Sequence, residues 1–108
     1  MKSFWQIDME VGKIGMTFTS GTPREAALKA ATRDEKYICL VEADTGKLHV
    51  FGGEKIPLSE REQNEFTQRR GITSKPIVTK MAYKNLKRKM DRADISVIVD
   101  EFQRIMLG

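Results

Sequence analysis

The chain is poor in the residues that build disulfides, metal centres and most catalytic sites. It has one cysteine, one histidine, one tryptophan and three prolines among 108 residues. The single cysteine, Cys39, cannot form an internal disulfide, and its apolar surroundings predict an inert buried thiol. His49 and Cys39 alone provide no metal-ligand spacing, and no phosphate-cradling glycine motif is present. The sequence therefore predicts a protein without catalytic activity, metal or cofactor, in which His49 is a surface or cross-strand residue.

Long apolar runs are missing as well. No stretch approaches the roughly 20 apolar residues of a membrane span, and the N-terminus lacks a secretory signal pattern. These absences predict no membrane span and a protein that stays inside a cell or is packaged in a particle. The length predicts one domain with a modest core.

What the chain does have is a concentration of positive charge. The net charge is +4 and the pI is near 9.3. Residues 80–92 carry six basic side chains against one acidic side chain, Asp91, a local excess of +5 (six minus one). Such a segment attracts phosphate backbones or anionic surfaces, and the alternative interpretation is a solvated helix face that keeps the protein soluble. The basic residues are Lys80, Lys84, Lys87, Arg88, Lys89 and Arg92.

Two β-hairpins are predicted in the first half of the chain. Apolar residues alternate in 4–9 and again in 14–18, on either side of a turn at Gly12. Residues 37–43 and 47–51 predict a second pair of strands joined by a turn at 44–46. Gly52 and Gly53 are expected to end that pair.

A helix is predicted between the two hairpins, over about residues 23–33. Thr22 is suited to capping it, Pro23 suits its first position, and Glu25 completes a capping box three residues after the cap. The alanine-rich body has high helix propensity and is thin enough to lie close to a sheet.

The second half predicts a polar insert, a strand and a terminal helix. Residues 57–71 are expected to form a short exposed helix or an ordered loop that stops at Gly71, with Ser59 and Glu62 as a second possible capping box. A strand follows over 73–83, with Pro76 at its start or on a sheet edge. The tail carries apolar residues at helical spacing, which must be buried against the chain's own sheet or a neighbouring chain. This stripe consists of Ile95, Ile98, Val99, Phe102, Ile105 and Met106.

Three segments resemble one protein family. The run from Phe18 to Arg33 closely resembles a segment of the small archaeal non-histone chromosomal proteins of methanogens, which bind and bend DNA as monomers. Residues 46–51 and 74–80 are similar to two further strands of that family, so the resemblance covers about residues 4–86. It implies an α+β fold: a small, strongly bent β-structure of two hairpin-like sheets, about five strands in all, with one helix after the first hairpin. Residues 1–86 would form this domain and residues 87–108 a basic and amphipathic C-terminal extension.

One departure from the family concerns its DNA-bending arm. The family places a proline-rich arm with an exposed tryptophan between the second hairpin and the last strand. Here the region is Leu58 to Arg70, which has no tryptophan. Phe66 is its only bulky candidate for a wedge between base pairs. Trp5, elsewhere in the chain, is expected to belong to the core.

Charge and resemblance together predict contacts to the phosphates of double-stranded DNA, which supply affinity without reading sequence. The matched motifs carry basic residues at Arg24, Lys29, Lys47, Lys75 and Lys80. The full predicted set adds Arg33, Lys55, Arg69, Arg70 and Lys84. This function places the protein on the chromosome or nucleoid.

A second hypothesis is a structural protein, such as a minor virion component of a large DNA virus. In that case the apolar stripe of the tail would dock on neighbouring protein chains. Four acidic residues favour this alternative, because they lie where the family's arm meets DNA and would repel phosphate. They are Glu54, Glu60, Glu62 and Glu65.

Overall fold

A computed structural model describes residues 1–33 and 35–107, apart from the side chain of Phe66. Five antiparallel strands form one sheet in the order β2-β1-β3-β4-β5. The strands are β1 (Lys2–Asp8), β2 (Lys13–Ser20), β3 (Tyr37–Glu42), β4 (Lys47–Pro57) and β5 (Ser74–Asn85). The helices are α1 (Pro23–Ala31), the short α2 (Glu65–Arg69) and α3 (Ile95–Leu107), the last preceded by a 3-10 turn at Arg92–Asp94.

The two hairpins are joined into one sheet and do not form the two sheets that the resemblance implied. Strand β1 pairs with β2 and also with β3, the latter through only three residue pairs, from Phe4–Glu42 to Gln6–Leu40. A one-residue irregularity in the β1–β2 register follows Trp5. The predicted number of strands, the helix after the first hairpin and the C-terminal helix are confirmed.

Helix α1 packs on one face of the sheet, called here the α1 face. The Thr22 hydroxyl accepts a hydrogen bond from the Glu25 amide (3.2 Å), and the Glu25 carboxylate accepts one from the Gly21 amide (3.1 Å). The cap is therefore as predicted, except that Glu25 reaches one residue further back than in a capping box. The helix buries four alanines against the sheet: Ala26, Ala27, Ala30 and Ala31. Their partners include Phe4, Phe18, Ile38, Leu40, Phe51 and Val78.

Strand β4 runs six residues beyond its predicted end at Phe51, because Gly52 and Gly53 continue the strand. A Cβ on Gly53 would lie 2.5 Å from the carbonyl oxygen of Glu35, and one on Gly52 would lie 3.3 Å from the Met81 sulfur. These glycines therefore permit close packing and do not mark a turn. Pro76 lies near the start of β5, which is an edge strand, as predicted.

Helix α3 packs on the opposite face, called here the α3 face. Ile98 and Phe102 are fully buried. They contact a cluster that includes Ile7, Cys39, Val41, Leu48, Val50 and Met90, with Trp5 and the α3 residues Ile95, Val99 and Ile105 at its margin. Of the six predicted docking residues, Met106 is exposed. The stripe thus packs on the chain's own sheet, which is one of the two alternatives that the sequence left open.

The polar insert contains a turn followed by α2. Glu62 accepts hydrogen bonds from the amide and hydroxyl of Ser59, but these close a turn and do not start a helix. The helix begins after Asn64, whose side chain accepts from the Thr67 amide (2.9 Å) while the Thr67 hydroxyl accepts from the Asn64 amide (2.9 Å). Gly71 has φ +68°, the left-handed conformation expected of a residue that ends a helix.

Candidate nucleic-acid interface

The positively charged candidates divide between the two faces of the sheet. Side chains alternate along a strand, so His49 and Phe51 point to the α1 face and Leu48 and Val50 to the α3 face. The same alternation places Lys47 on the α1 face. Along β5, Lys80 lies opposite Phe51 and Tyr83 lies opposite His49, so both are on the α1 face.

A bulge in β5 is responsible for this distribution. Val50 pairs with Ala82 whereas Phe51 pairs with Lys80, so Met81 is an additional residue in β5. A bulge reverses the alternation of the side chains beyond it. Lys80 and Lys84 are four residues apart and would share a face in a regular strand; here they point to opposite faces.

Three exposed cations come from α1 and the residues after it: Arg24, Lys29 and Arg33. The Lys29 ammonium donates a hydrogen bond to the Thr19 carbonyl (2.8 Å). The Arg33 guanidinium lies 5.9 Å from the centroid of the Phe18 ring and contacts the Met16 sulfur. These contacts hold two of the cations along the flank of α1 that borders β2, and they leave both side chains accessible to solvent.

His49 lies among three lysines on the α1 face. It is 5 % exposed, and neither ring nitrogen has a hydrogen-bond partner among the described residues. Burial lowers the pKa of His49 to about 4, and the nearby positive charges of Lys80, Lys47 and Lys2 contribute in the same direction. Glu42 opposes them but is itself paired with Lys2 (3.5 Å). His49 is therefore a neutral cross-strand residue, as predicted, although buried and not at the surface.

Tyr83 is an exposed aromatic ring on this face that the sequence analysis did not single out. Its ring centroid lies 5.2 Å from that of His49, and the Lys80 ammonium lies 4.8 Å from it over the ring. The ring is 45 % exposed. A lysine and a tyrosine near each other in the sequence could have indicated this contact. Lys80 and Tyr83 are three residues apart, however, and in a regular strand they would point to opposite faces.

Lys75 and Lys84 point away from the α1 face, and each is engaged by a carboxylate. Lys75 is hydrogen-bonded to Glu62, and this contact together with the Ser59 hydrogen bonds lowers the pKa of Glu62 to about 2. Lys84 is bonded to Glu101 of α3 (2.6 Å), which lowers the pKa of Glu101. Both lysines are thereby partly neutralised.

The remaining candidates lie along the insert. Arg69 pairs with Glu65 within α2. Lys55, near the end of β4, and Arg70, directly after α2, are exposed. Two of the four acidic residues of this region, Glu62 and Glu65, are thus balanced by basic partners.

The basic segment 80–92 is not a helix. It comprises the end of β5, a loop in which Lys87 has φ +57°, and the start of the 3-10 turn. Arg88 pairs with Asp94 (3.5 Å), whose pKa is lowered chiefly by a backbone hydrogen bond from Asp91 and secondarily by Arg88. The alternative interpretation was therefore wrong in expecting a helix here, while the basic side chains of the segment are exposed to solvent.

The described residues provide little for other kinds of chemistry. Among them no group of three His, Cys, Asp or Glu side chains is arranged to hold a metal ion. Burial raises the pKa of the Cys39 thiol to about 11, as expected of an inert cysteine. No helix within 1–33 and 35–107 is long and apolar enough to cross a membrane.

Comparison with known proteins identifies relatives among chromosomal proteins. The chain is 42% identical over 60 residues to chromosomal protein MC1b of Methanothrix soehngenii, 42% over 59 residues to MC1a and 46% over 55 residues to MC1c. These matches cover 56%, 55% and 51% of this chain and 68%, 65% and 60% of the three relatives. No solved structure matches the chain. The sequence model of the family described as non-histone chromosomal protein MC1 matches residues 2–87, and with four fifths of its length covered the chain belongs to this chromosomal protein family.

Proposed function

We propose that this chain is an architectural protein that binds double-stranded DNA through its phosphates, largely independently of sequence, and is associated with the chromosome. Membership of a chromosomal protein family supports the class of function. The observation that carries the proposal is the set of cations on the α1 side of the sheet. Phosphate contacts supply most of the affinity of sequence-independent DNA binding.

The proposed contact residues are five: Arg24, Lys29, Arg33, Lys47 and Lys80. Four are exposed and Lys47 is half-buried. None of the five has a carboxylate within ion-pair distance in the described contacts. Three other candidates form salt bridges with carboxylates: Lys75, Lys84 and Arg69. A DNA phosphate would have to displace that carboxylate to contact any of them. We place these three outside the primary contact set, and Lys55 and Arg70 at its margin.

The insert bears on whether the DNA is bent. Its helix α2 presents mainly polar and charged side chains, and Phe66, the residue predicted as a wedge, has its side chain outside the described residues. We therefore propose binding by this surface without assigning a bend. The division of the chain near residue 86 also stays a prediction.

A matched pair of variants on β5 tests the contact set. Lys80→Gln and Lys84→Gln each remove one positive charge from the same strand, but on opposite faces. With a fluorescently labelled random-sequence duplex in low salt, Lys80→Gln is expected to weaken binding several-fold, as loss of one phosphate contact would. Lys84→Gln is expected to bind within about twofold of the wild type, since its charge is already shared with Glu101.

Two results would contradict the proposal. Equal weakening by both variants, with native circular dichroism spectra, would show that net charge and not the α1 side determines binding. Failure of the folded wild-type chain to bind duplex DNA at micromolar concentration in low salt would overturn the function itself.

A further inference from the structure

The surface around Tyr83 differs from the rest of the proposed contact surface because it combines a ring with cations. Two lysines lie near Tyr83 on the same face. The ammonium of Lys80 lies over the ring. Lys47 is on the neighbouring strand β4, two residues before His49, and so occupies the position diagonal to Tyr83. The ring is nearly half exposed on a sheet where most large apolar side chains are covered by α1 or α3. Lysine and arginine contact phosphates without needing an exposed ring beside them.

We infer that Tyr83 is a stacking platform for an unpaired base, so that this chain binds duplexes containing an extrahelical base more tightly than perfect duplexes. The inference rests on the proposed function, because it presupposes that the α1 side contacts DNA. Every base has a flat π-face, so an aromatic side chain flanked by cations binds unstacked bases without regard to sequence. A base paired within a duplex is stacked on its neighbours and cannot lie on Tyr83.

Lys80 has two alternative contacts in this arrangement. Without nucleic acid its ammonium lies over the Tyr83 ring, a cation–π contact. When a base occupies that position, the flexible side chain turns to the phosphate beside the base. The weak contact that is lost is replaced by a charge-assisted hydrogen bond to phosphate.

His49 fixes the position of the ring. The buried His49 ring lies next to the Tyr83 ring at an interplanar angle of 44°. It also contacts the rings of Phe4 and Phe51. Because His49 is neutral, it adds no positive charge beneath Tyr83 that would compete with Lys80. Tyr83 therefore packs against a buried aromatic side chain and lies within strand β5.

The test compares a perfect 20-base-pair duplex with the same duplex carrying one bulged 2-aminopurine. Wild-type protein is expected to bind the bulged duplex at least about fivefold more tightly and to quench the 2-aminopurine fluorescence by stacking. Tyr83→Phe, which keeps the ring, should retain both effects. Tyr83→Leu, which covers His49 but has no π-face, should lose both the preference and the quenching.

The possible failures are separable. Wild-type binding that is equal for the two duplexes, or a preference that persists in Tyr83→Leu, overturns the stacking inference and leaves the proposed function standing. Equal weakening of both duplexes by Tyr83→Leu would show that Tyr83 is needed for the shape of the surface and not for a base. Absence of binding to either duplex contradicts both proposals.

Discussion

The placement of α3 makes a quantitative prediction about stability. Phe102 is fully buried between α3 and the sheet, within the cluster that holds Val50, Met90 and Ile98. Truncating a buried phenylalanine removes its transfer free energy and leaves a cavity, which together cost about 3–5 kcal/mol. Small domains are stabilised by only about 5–15 kcal/mol, so Phe102→Ala is expected to remove a large part of the total.

Urea denaturation followed by circular dichroism measures this effect. Phe102→Leu, which keeps most of the volume, should lose only about 1 kcal/mol and provides a readout if the alanine variant does not fold. Val97→Ala is the matched control on the same helix, because Val97 is exposed and should change the free energy of unfolding by less than about 0.5 kcal/mol.

The outcome that would refute the assignment is a Phe102→Ala chain as stable as the wild type. In that case α3 would not belong to the core, and its apolar stripe would again be available for a neighbouring chain. A loss of stability with an unchanged oligomeric state is the result that the structure predicts.

Two further predictions follow from the fold. The pKa of His49 is lowered to about 4 in the folded chain but returns to about 6.5 on unfolding. As the pH falls, the unfolded chain therefore takes up a proton before the folded chain does. The folded state loses stability between about pH 6.5 and pH 4 for this reason. Chemical denaturation at pH 7 and pH 5 should show a loss of about 2 kcal/mol, and His49→Phe should reduce it; an unchanged pH dependence would mean that His49 is hydrated or hydrogen-bonded. Gly46 has φ +76° and a Cβ there would meet the Arg88 carbonyl oxygen at 2.3 Å, whereas Gly12 has φ +65° and open space around it. Gly12→Ala should therefore cost only the backbone strain, about 1 kcal/mol, and Gly46→Ala clearly more, as measured by thermal melting; equal costs would contradict the packing of the 86–90 segment against the turn.

Local signals in the sequence predicted the elements that depend on neighbouring residues. Thr22, Pro23 and Glu25 define the start of α1, and Gly12 and Gly46 both adopt positive φ in the predicted hairpin turns. Helix caps and hairpin turns depend on only a few neighbouring residues, so they can be predicted without the rest of the chain.

Features that depend on contacts distant in sequence could not be predicted in the same way. The β1–β3 pairing that joins the hairpins rests on three residue pairs between segments more than thirty residues apart. The pair Gly52 and Gly53 predicted the end of a strand. The reason for glycine at these positions is the close contact with Met81 and Glu35, which exists only in the folded chain. The amphipathic pattern of the tail predicted a buried stripe but not which surface buries it.

The candidate site shows the same limit most clearly. Lys80 and Lys84 belong to one basic segment of the sequence, and the bulge at Met81 separates them onto opposite faces. The same bulge brings Tyr83 beside Lys80 and His49. The carboxylates that engage Lys75 and Lys84 are 13 and 17 residues away in sequence, so charge counting could not reveal those pairs.

The salt dependence of duplex binding tests the central proposal most directly. Five phosphate contacts predict a slope of log K against log salt of about −4.5, so affinity should fall about 500-fold between 50 and 200 mM monovalent salt. The triple variant Arg24→Gln, Lys29→Gln, Arg33→Gln should reduce the slope to about −2. A wild-type affinity that does not change with salt would contradict phosphate contact as the basis of binding.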